Sequence, residues 1–496
     1  MKTTRTSGIL MAISSLPNKY GIGTFGSSAY QFVEFLQKAS QKYWQILPLG
    51  HTSYGDSPYQ TFSAFAGNPY YIDLDFLKND GLLQESEYAH MHHYSNQVDY
   101  GFVYYYRYPI LRLAFSRFTK SEDYLSFIQA NIEWLEDYAL FMSLKDKHQG
   151  ASWLEWEEQY KTRNVDSLNK FKKENSDEIE FWYFIQYYFF KQWFSLKNYA
   201  NKLGVSIIGD IPIYVAMDSC DVWANVEYFQ IDEKYNPINV AGCPPDDFTA
   251  DGQLWGNPVY NYKKLEEDGY AWWINRMKKS LEMYDVVRID HFRGFEAYWS
   301  IPYGSPTAKS GHWVKGPNVK LFKAMEKEIP NMNIIAEDLG LLTEGVYKMI
   351  AKLKYPGMKV LEFGFDPWGN SDHAPHNVVE NCIIYTSSHD LPTVKDWFNK
   401  LPYDNKRYIL EYLRIDNEYK VSEAMIKCAL SSIAKLAIIP LQDYLELGEE
   451  GRMNTPSTLG ANWKWRAYED QIIDDLAYRI NYWTKLYRRW FMMDQN

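Results

Sequence analysis

The sequence predicts a (β/α)8 TIM barrel, an α/β fold in which eight parallel strands alternate with helices and large helical insertions occupy βα loops. Short apolar runs, β-branched and bounded by turn residues, recur eight times, and helical patterns precede several of them. Strands buried on both faces carry such continuous apolar runs. The predicted strands are 8–13, 43–47, 205–211, 285–290, 333–337, 358–365, 382–386 and 436–439.

The helix before the third strand has the clearest signature. It covers 181–203, is rich in aromatic residues, and is followed by Gly204, the residue type favoured just after a helix ends. Eight strands separated by such helices favour a closed barrel over an open sheet.

The spacing of the strands is uneven, and the long gaps predict insertions. We expect one barrel over 1–496, with a mostly helical subdomain over 52–180 after the second strand. A second insertion, 212–284 after the third strand, contains a Pro-, Gly- and Asp-rich stretch at 241–262 that reads as a long loop near the mouth. Insertions in barrels lie at the carboxyl ends of the strands, where active sites are built.

Composition excludes several classes of protein. The net charge is −11 and the basic residues form no cluster, which argues against a nucleic-acid binder and against binding to anionic membranes. Four widely spaced cysteines without a C-x-x-C pair argue against zinc and against a disulfide framework. The N-terminus has no apolar signal segment, and no apolar run is long enough to cross a membrane. These features predict a cytoplasmic protein.

Aromatic residues make up 17% of the chain, with 18 Trp, 42 Tyr and 26 Phe. Core packing explains most of them. Aromatic faces also stack on the apolar faces of sugar rings, while Tyr and Trp offer a polar group to hydroxyls. The excess is therefore a supporting indication of a carbohydrate ligand.

The fourth predicted strand ends in Arg288-Ile289-Asp290. Side chains alternate along a strand, so Arg288 and Asp290 share one face. A guanidinium beside a carboxylate favours the ionised form and lowers its pKa, which suits a carboxylate nucleophile. A structural buried ion pair is the alternative, and the tripeptide alone favours it.

The fifth predicted strand ends in Glu337-Asp338. Glu337 follows an apolar run directly, so burial should raise its pKa, as a general acid requires. Asp338 is an alternative for that role, and either residue could instead cap the next helix.

A third acidic group, Asp390, follows the seventh predicted strand beside His389. The pair could hold sugar hydroxyls or form only a loop hydrogen bond. Acidic residues after strands four, five and seven fit retaining glycoside chemistry, in which one carboxylate is the nucleophile and another the acid and then the base.

Other chemistries have weaker support. Asp290, His291, Glu337 and Asp338 could form a metal site, but no metal-binding spacing is present. The G-x-G-x-x-G at 21–26 lacks a ribose-binding acid and reads as a turn. No phosphate-binding loop and no G-x-S-x-G elbow occur.

At these strand ends the sequence resembles the amylomaltases, or 4-α-glucanotransferases (disproportionating enzymes), of glycoside hydrolase family 77. The matching segments are SPYQ at 57–60, AFAGNP at 64–69, GDIPI at 209–213, PPD at 244–246, GQLWGNP at 252–258, VRIDHFRGFEAYW at 287–299, AEDLG at 336–340, HD at 389–390, RMNTP at 452–456 and NWKWR at 462–466. They run in family order along almost the whole chain.

The resemblance implies Asp290 as nucleophile, Glu337 as acid/base and Asp390 as transition-state stabiliser, with no metal or organic cofactor. It also implies a set of residues that bind the glucan. These are Tyr59, Asp210, Arg288, His389, Asp246, Trp255, Tyr54, Ser57 and Asn462.

The implied activity is transfer of a 1,4-α-glucan segment to the 4-hydroxyl of a glucan or glucose. The expected partners are maltooligosaccharides, amylose or glycogen-derived glucans. An α-amylase-like hydrolase with the same nucleophile is the nearest alternative, and a catalytically silent glucan-binding protein is another.

Overall fold

The computed structural model describes residues 5–53, 55–245, 249–340 and 342–490. Its strands, in chain order, are β1 Thr6–Leu10, β2 Tyr43–Gln45, β3 Ser206–Ile211, β4 Asn239–Cys243, β5 Gln253–Pro258, β6 Val286–Ile289, β7 Ala297–Pro302, β8 His312–Lys315, β9 Ile334–Ala336, β10 Gly357–Val360, β11 Cys382–Tyr385 and β12 Leu436–Pro440.

Eight of these strands form one parallel sheet in the order β10-β11-β12-β1-β2-β3-β6-β9. The backbone N–H of Ala336, at the end of β9, donates to the carbonyl of Pro356, just before β10, over 3.0 Å. This contact brings the two outer strands together. The fold is the predicted (β/α)8 barrel, and each of the eight predicted runs overlaps one of its strands. The run 8–13 was placed too late, because β1 covers Thr6–Leu10 and a tight turn begins at Ile13.

Helices connect the strands and cover the sheet. They are α1 Ser27–Lys38, α2 Leu74–Asn79, α3 Glu85–Tyr88, α4 Tyr100–Ser116, α5 Glu122–Lys147, α6 Glu158–Lys161, α7 Val165–Glu174, α8 Ser176–Lys202, α9 Cys220–Ala224, α10 Tyr262–Glu267, α11 Ala271–Met283, α12 Val319–Glu328, α13 Glu344–Leu353, α14 Val394–Lys400, α15 Tyr403–Leu413, α16 Val421–Ser431, α17 Leu441–Tyr444 and α18 Asp474–Leu486. In the part of the chain described, no helix has the length and apolar character of a membrane span.

Helix α8 confirms the aromatic helix predicted before the third strand. It begins five residues earlier than 181, because Ser176, Asp177 and Glu178 form its first turn, where acidic side chains are favourable. It ends as predicted, with Gly204 at a φ of +79°.

The 241–262 stretch is not the continuous loop that its Pro, Gly and Asp content predicted. Its described residues include the end of β4 and all of β5, which pair antiparallel in a second sheet of order β5-β4-β7-β8. The partner β7 lies far along the chain, and that non-local pairing outweighs the local composition. The wider division into insertions at 52–180 and 212–284 stays a prediction.

The predicted strand at 358–365 is also too long. β10 stops at Val360, and 361–364 form one tight turn. The turn directs Glu362 into the interior, where it is 6% exposed.

Most of the aromatic excess is core, as expected. The largest fully buried side chains include Trp44, Trp153, Trp182, Trp193, Trp223 and Trp273. In the barrel, Gly209 of β3 gives room to Tyr284, because a β-carbon there would lie 2.1 Å from the tyrosine ring. This packing fixes β3 at the residue directly before Asp210.

Candidate active site

Arg288 of β6 bridges two acidic side chains at the carboxyl end of the barrel. Its Nη1 lies 2.5 Å from Asp210 Oδ2, and its Nη2 lies 2.9 Å from Asp290 Oδ1. Arg288 and Asp210 are both buried, whereas the Asp290 side chain keeps 29% exposure. Arg288 and Asp290 therefore share one face, as the strand pattern predicted, and Asp290 is the member open to a ligand.

The same network reaches Asp390 through Tyr59. The Tyr59 hydroxyl donates to Asp210 Oδ2 over 2.8 Å and lies 2.9 Å from His389 Nε2. Because that hydroxyl gives its one proton to Asp210, it accepts from a protonated His389 Nε2. Nε2 also lies 3.2 Å from Asp390 Oδ2. A continuous chain of polar contacts thus links the strand ends that carry Asp290 and Asp390.

Glu337 follows β9, the neighbour of β6 in the sheet. Its Oε2 accepts the backbone N–H of His291 over 2.7 Å, and its Oε1 accepts that of Leu339 over 2.6 Å. His291 is bonded directly to Asp290 and adopts a left-handed φ of +51°. The carboxyl group of Glu337 is therefore held against the residue next to Asp290.

Burial dominates the acid–base properties of Glu337 and Asp290. Burial and, to a smaller extent, the charge of Asp290 together raise the pKa of Glu337 to about 8, although Arg288 opposes the rise. Burial also raises the pKa of Asp290 to about 6, although Arg288 opposes the rise. The expectation that burial raises the pKa of Glu337 is confirmed. The expectation that Arg288 would hold the pKa of Asp290 low was wrong, because desolvation of the carboxylate outweighs one guanidinium already shared with Asp210.

The pKa of Asp390 is lowered, in contrast to the raised pKa values of Asp290 and Glu337. Burial alone would raise its pKa, but the charge and hydrogen bond of His389, with a hydrogen bond from Asn454, lower that pKa to about 2. The pKa of His389 is raised: burial opposes its charge, but Asp390 outweighs burial. Asp390 is therefore an anion at every pH of interest.

Contacts bear on two alternatives left open at the strand ends, namely Asp338 as the acid and helix capping by either acidic residue. Asp338 Oδ1 accepts the backbone N–H of Met358 over 2.6 Å and so ties β9 to β10. The residue before α13 is Thr343, so neither Glu337 nor Asp338 caps that helix. No group of three potential metal ligands occurs within the described ranges.

The remaining predicted binding residues are dispersed around the mouth. Trp255 of β5 packs edge-on against His291, with ring centroids 4.8 Å apart. Ser57 Oγ accepts the backbone N–H of Tyr59. The amide of Asn462 is engaged by backbone groups of Thr455 and Thr458 in its own loop. Tyr54 and Asp246 lie outside the described residues.

The sequence profile of the family described as 4-alpha-glucanotransferase matches residues 11–470. The 4-alpha-glucanotransferase of Clostridium butyricum is 47% identical over 485 residues, 97% of this chain and 100% of the relative. That of Streptococcus pneumoniae TIGR4 is 47% identical over 492 residues, 98% of this chain and 97% of the relative. The chain belongs to the 4-α-glucanotransferase family.

The structural comparison agrees with this family. The amylomaltase of Streptococcus agalactiae, solved in complex with acarbose, superimposes with a TM-score of 0.95 at 40% identity, covering 98% of this chain and 100% of that one. The amylomaltase of Corynebacterium glutamicum has the same fold, with a TM-score of 0.77 at 19% identity.

Two residues of this 4-α-glucanotransferase site received no role from the sequence. Asn454 Nδ2 donates to Asp390 Oδ1 over 2.7 Å. Trp463 packs against Tyr59 and His389, with ring centroids 5.7 and 6.0 Å away. Both belong to segments that carried the family resemblance, which was the available signal. Their positions beside Asp390 depend on a long-range contact that spacing does not reveal.

The two raised pKa values predict the pH dependence of this 4-α-glucanotransferase. In the roles that the resemblance implies, Asp290 is ionised to attack and Glu337 is protonated to donate, so kcat/KM on maltotriose should be bell-shaped, with limbs near pH 6 and pH 8. Because Asp290 and Glu337 interact, the two limbs of the pH profile report the titration of the pair and not of either residue alone. A profile already declining with rising pH at about pH 5, near the usual pKa of Glu, would contradict this account.

Proposed function

We propose that this enzyme transfers segments of 1,4-α-glucans to the 4-hydroxyl of an acceptor glucan or glucose by a retaining double displacement through a glycosyl ester of Asp290. The observation that carries the proposal is the polar network joining Asp290 to Asp390, with Glu337 held beside Asp290. Family membership supports the substrate class, α-glucans.

In the first step, Asp290 attacks the anomeric carbon while Glu337 protonates the departing glycosidic oxygen. The bond from that carbon to the leaving sugar breaks as the ester bond to Asp290 forms. Retaining enzymes need their two carboxyl groups only about 5 Å apart. The adjacent strands β6 and β9, and the bond from His291 N–H to Glu337, support this short separation.

In the second step, Glu337 is the base. It takes the proton of an acceptor 4-hydroxyl, whose oxygen then displaces Asp290 and restores the α-linkage. Water in place of the sugar hydroxyl would release a free reducing sugar, which is hydrolysis. We propose that Trp255, whose ring packs against His291, favours a sugar over water on the acceptor side.

Asp390 would hold the reacting sugar, with Asp210 acting from behind. Asp390 stays anionic and can accept hydrogen bonds from sugar hydroxyls as positive charge develops on the ring. Asp210 is fully buried, and its Oδ2 binds both Arg288 and the Tyr59 hydroxyl. Asp210 would therefore orient these two side chains toward the sugar.

Incubation with maltotriose tests transfer against hydrolysis. We expect glucose and longer maltooligosaccharides to accumulate while the number of reducing ends stays nearly constant. The measurement is chromatography of the products alongside a reducing-sugar assay. A steady increase in reducing ends would favour the hydrolase, and unchanged maltotriose would favour a glucan-binding protein.

We also propose a cytoplasmic location. All four cysteines are free, as is usual in a reducing compartment.

A further inference from the structure

Asp390 is held by a side chain that takes no part in the proposed steps. Asn454 lies between α17 and α18 and is 9% exposed. Its Nδ2 donates to Asp390 Oδ1 over 2.7 Å. A carboxylate oxygen can only accept, so the contact requires the nitrogen of the amide to face Asp390. A hydrogen bond to an ionised group is stronger than one between neutral groups, and it orients both partners.

The two carboxylate oxygens of Asp390 have different partners. Oδ1 accepts from Asn454, whereas Oδ2 lies 3.2 Å from His389 Nε2. That nitrogen also lies 2.9 Å from the Tyr59 hydroxyl. The bond to Oδ1 therefore determines how the carboxylate is turned and which of its oxygens faces His389.

The loop that carries this asparagine is closed on itself. The backbone N–H of Trp463 donates to the carbonyl of Met453 over 2.7 Å. Inside the loop, Asn462 Oδ1 accepts the backbone N–H of Thr455 over 3.0 Å. These bonds join the beginning of the 453–463 loop to its end, so the positions of the two ends depend on each other.

Both ends of this loop contact the polar network of the site. Asn454, near the first end, donates to Asp390. Trp463, at the second end, packs against His389 and Tyr59, with ring centroids 6.0 and 5.7 Å away. Trp463 is 7% exposed, so its ring is enclosed by these neighbours. One loop thus contacts the carboxylate through a hydrogen bond and the adjacent rings through packing.

We propose that Asn454 is a positioning residue, whose amide fixes the carboxylate of Asp390 in the orientation that receives the reacting sugar, while the 453–463 loop holds the amide in place. The inference rests on the role proposed above for Asp390. In this role Asn454 acts through Asp390 and not on the sugar itself. Its hydrogen bond also favours the anionic form of Asp390, which that role needs.

Removal of the donor tests the role by kinetics on maltotriose. Asn454→Ala should lose about 10- to 100-fold in kcat with little change in KM, because a contact made in the transition state is weakened. Leu459→Ala is the matched control. Leu459 lies in the same loop and is 82% exposed, so its loss should leave kcat nearly unchanged. Wild-type kcat in Asn454→Ala would overturn the proposal.

Asn454→Asp distinguishes a hydrogen-bond donor from a side chain that only fills space. The variant is nearly isosteric, and at low pH its carboxyl group shares a proton with Asp390, which keeps a donor on Oδ1. As the pH rises, the pair loses that proton and two anions face each other. The ratio of wild-type to variant kcat should therefore rise at least about tenfold between about pH 5 and about pH 8. The same ratio for Asn454→Ala should stay constant, and a constant ratio for Asn454→Asp would contradict a donor role.

A double-mutant cycle with Asp390→Ala tests whether Asn454 acts through Asp390. If it does, Asn454→Ala should cause less than about threefold further loss of kcat in the Asp390→Ala background. Losses that simply multiply would overturn this inference and leave the transfer mechanism intact. Wild-type kcat in Asp390→Ala alone would overturn the role proposed for Asp390 together with the inference that rests on it. Circular dichroism and thermal unfolding check that each variant is folded.

Discussion

Asp290→Asn is expected to lower kcat on maltotriose by at least about 10⁴-fold. The amide is nearly isosteric but is a poor nucleophile, so the ester intermediate cannot form. The Asp290 side chain is 29% exposed and its carboxylate is bonded to Arg288. Asparagine can keep an oxygen toward Arg288, so the variant should still fold. The measurement is steady-state kinetics, with circular dichroism and glucan affinity as checks that the protein is intact.

Asp338→Asn is the matched control for that variant. Asp338 also follows a barrel strand and is buried, but its carboxylate binds the backbone of Met358 instead of facing the network around Asp290. It should lose stability, and its kcat should stay within about tenfold of the wild type. Wild-type turnover of Asp290→Asn would show that Asp290 is not the nucleophile.

Glu337→Gln should show a loss that depends on the donor. With maltotriose, we expect kcat to fall about 10³-fold, because the departing sugar is no longer protonated. With an α-maltosyl fluoride donor, the first step should be nearly unimpaired, since fluoride leaves without a proton. The alkaline limb of the pH profile should also disappear. Release of fluoride in a rapid first turnover measures this step.

The outcome for Glu337→Gln distinguishes an acid from a structural carboxyl group. A purely structural role would impair both donors to the same extent. The carboxyl oxygens accept from the backbone at His291 and Leu339, so a structural loss is physically possible. Equal impairment of the two donors would therefore contradict the assignment of Glu337 as the acid.

The barrel was predictable because its strands are buried on both faces. Runs such as that of β12 are apolar throughout, and composition alone marks them. The second sheet was not predictable in this way. β4 and β5 contain Gly, Asn and Pro and are strands because they pair with each other and with the distant β7. Local composition carries no signal for such a partner.

The candidate site was predictable in its residues and less so in its energetics. Alternation along β6 correctly placed Arg288 beside Asp290. The pKa of Asp290 depends on how much water surrounds it and on Asp210 competing for the same guanidinium, neither of which spacing reveals. Glu362 was read as part of a strand, because the turn that buries it follows directly on an apolar run.

Mass spectrometry of Glu337→Gln after incubation with α-maltosyl fluoride tests the central claim most directly. Without its base, the variant should form the ester quickly and release it slowly, so one maltosyl group should accumulate on the peptide containing Asp290. Fragmentation should locate it on that aspartate. A maltosyl group on another side chain, or complete turnover to β-maltose without any adduct, would contradict a double displacement at Asp290.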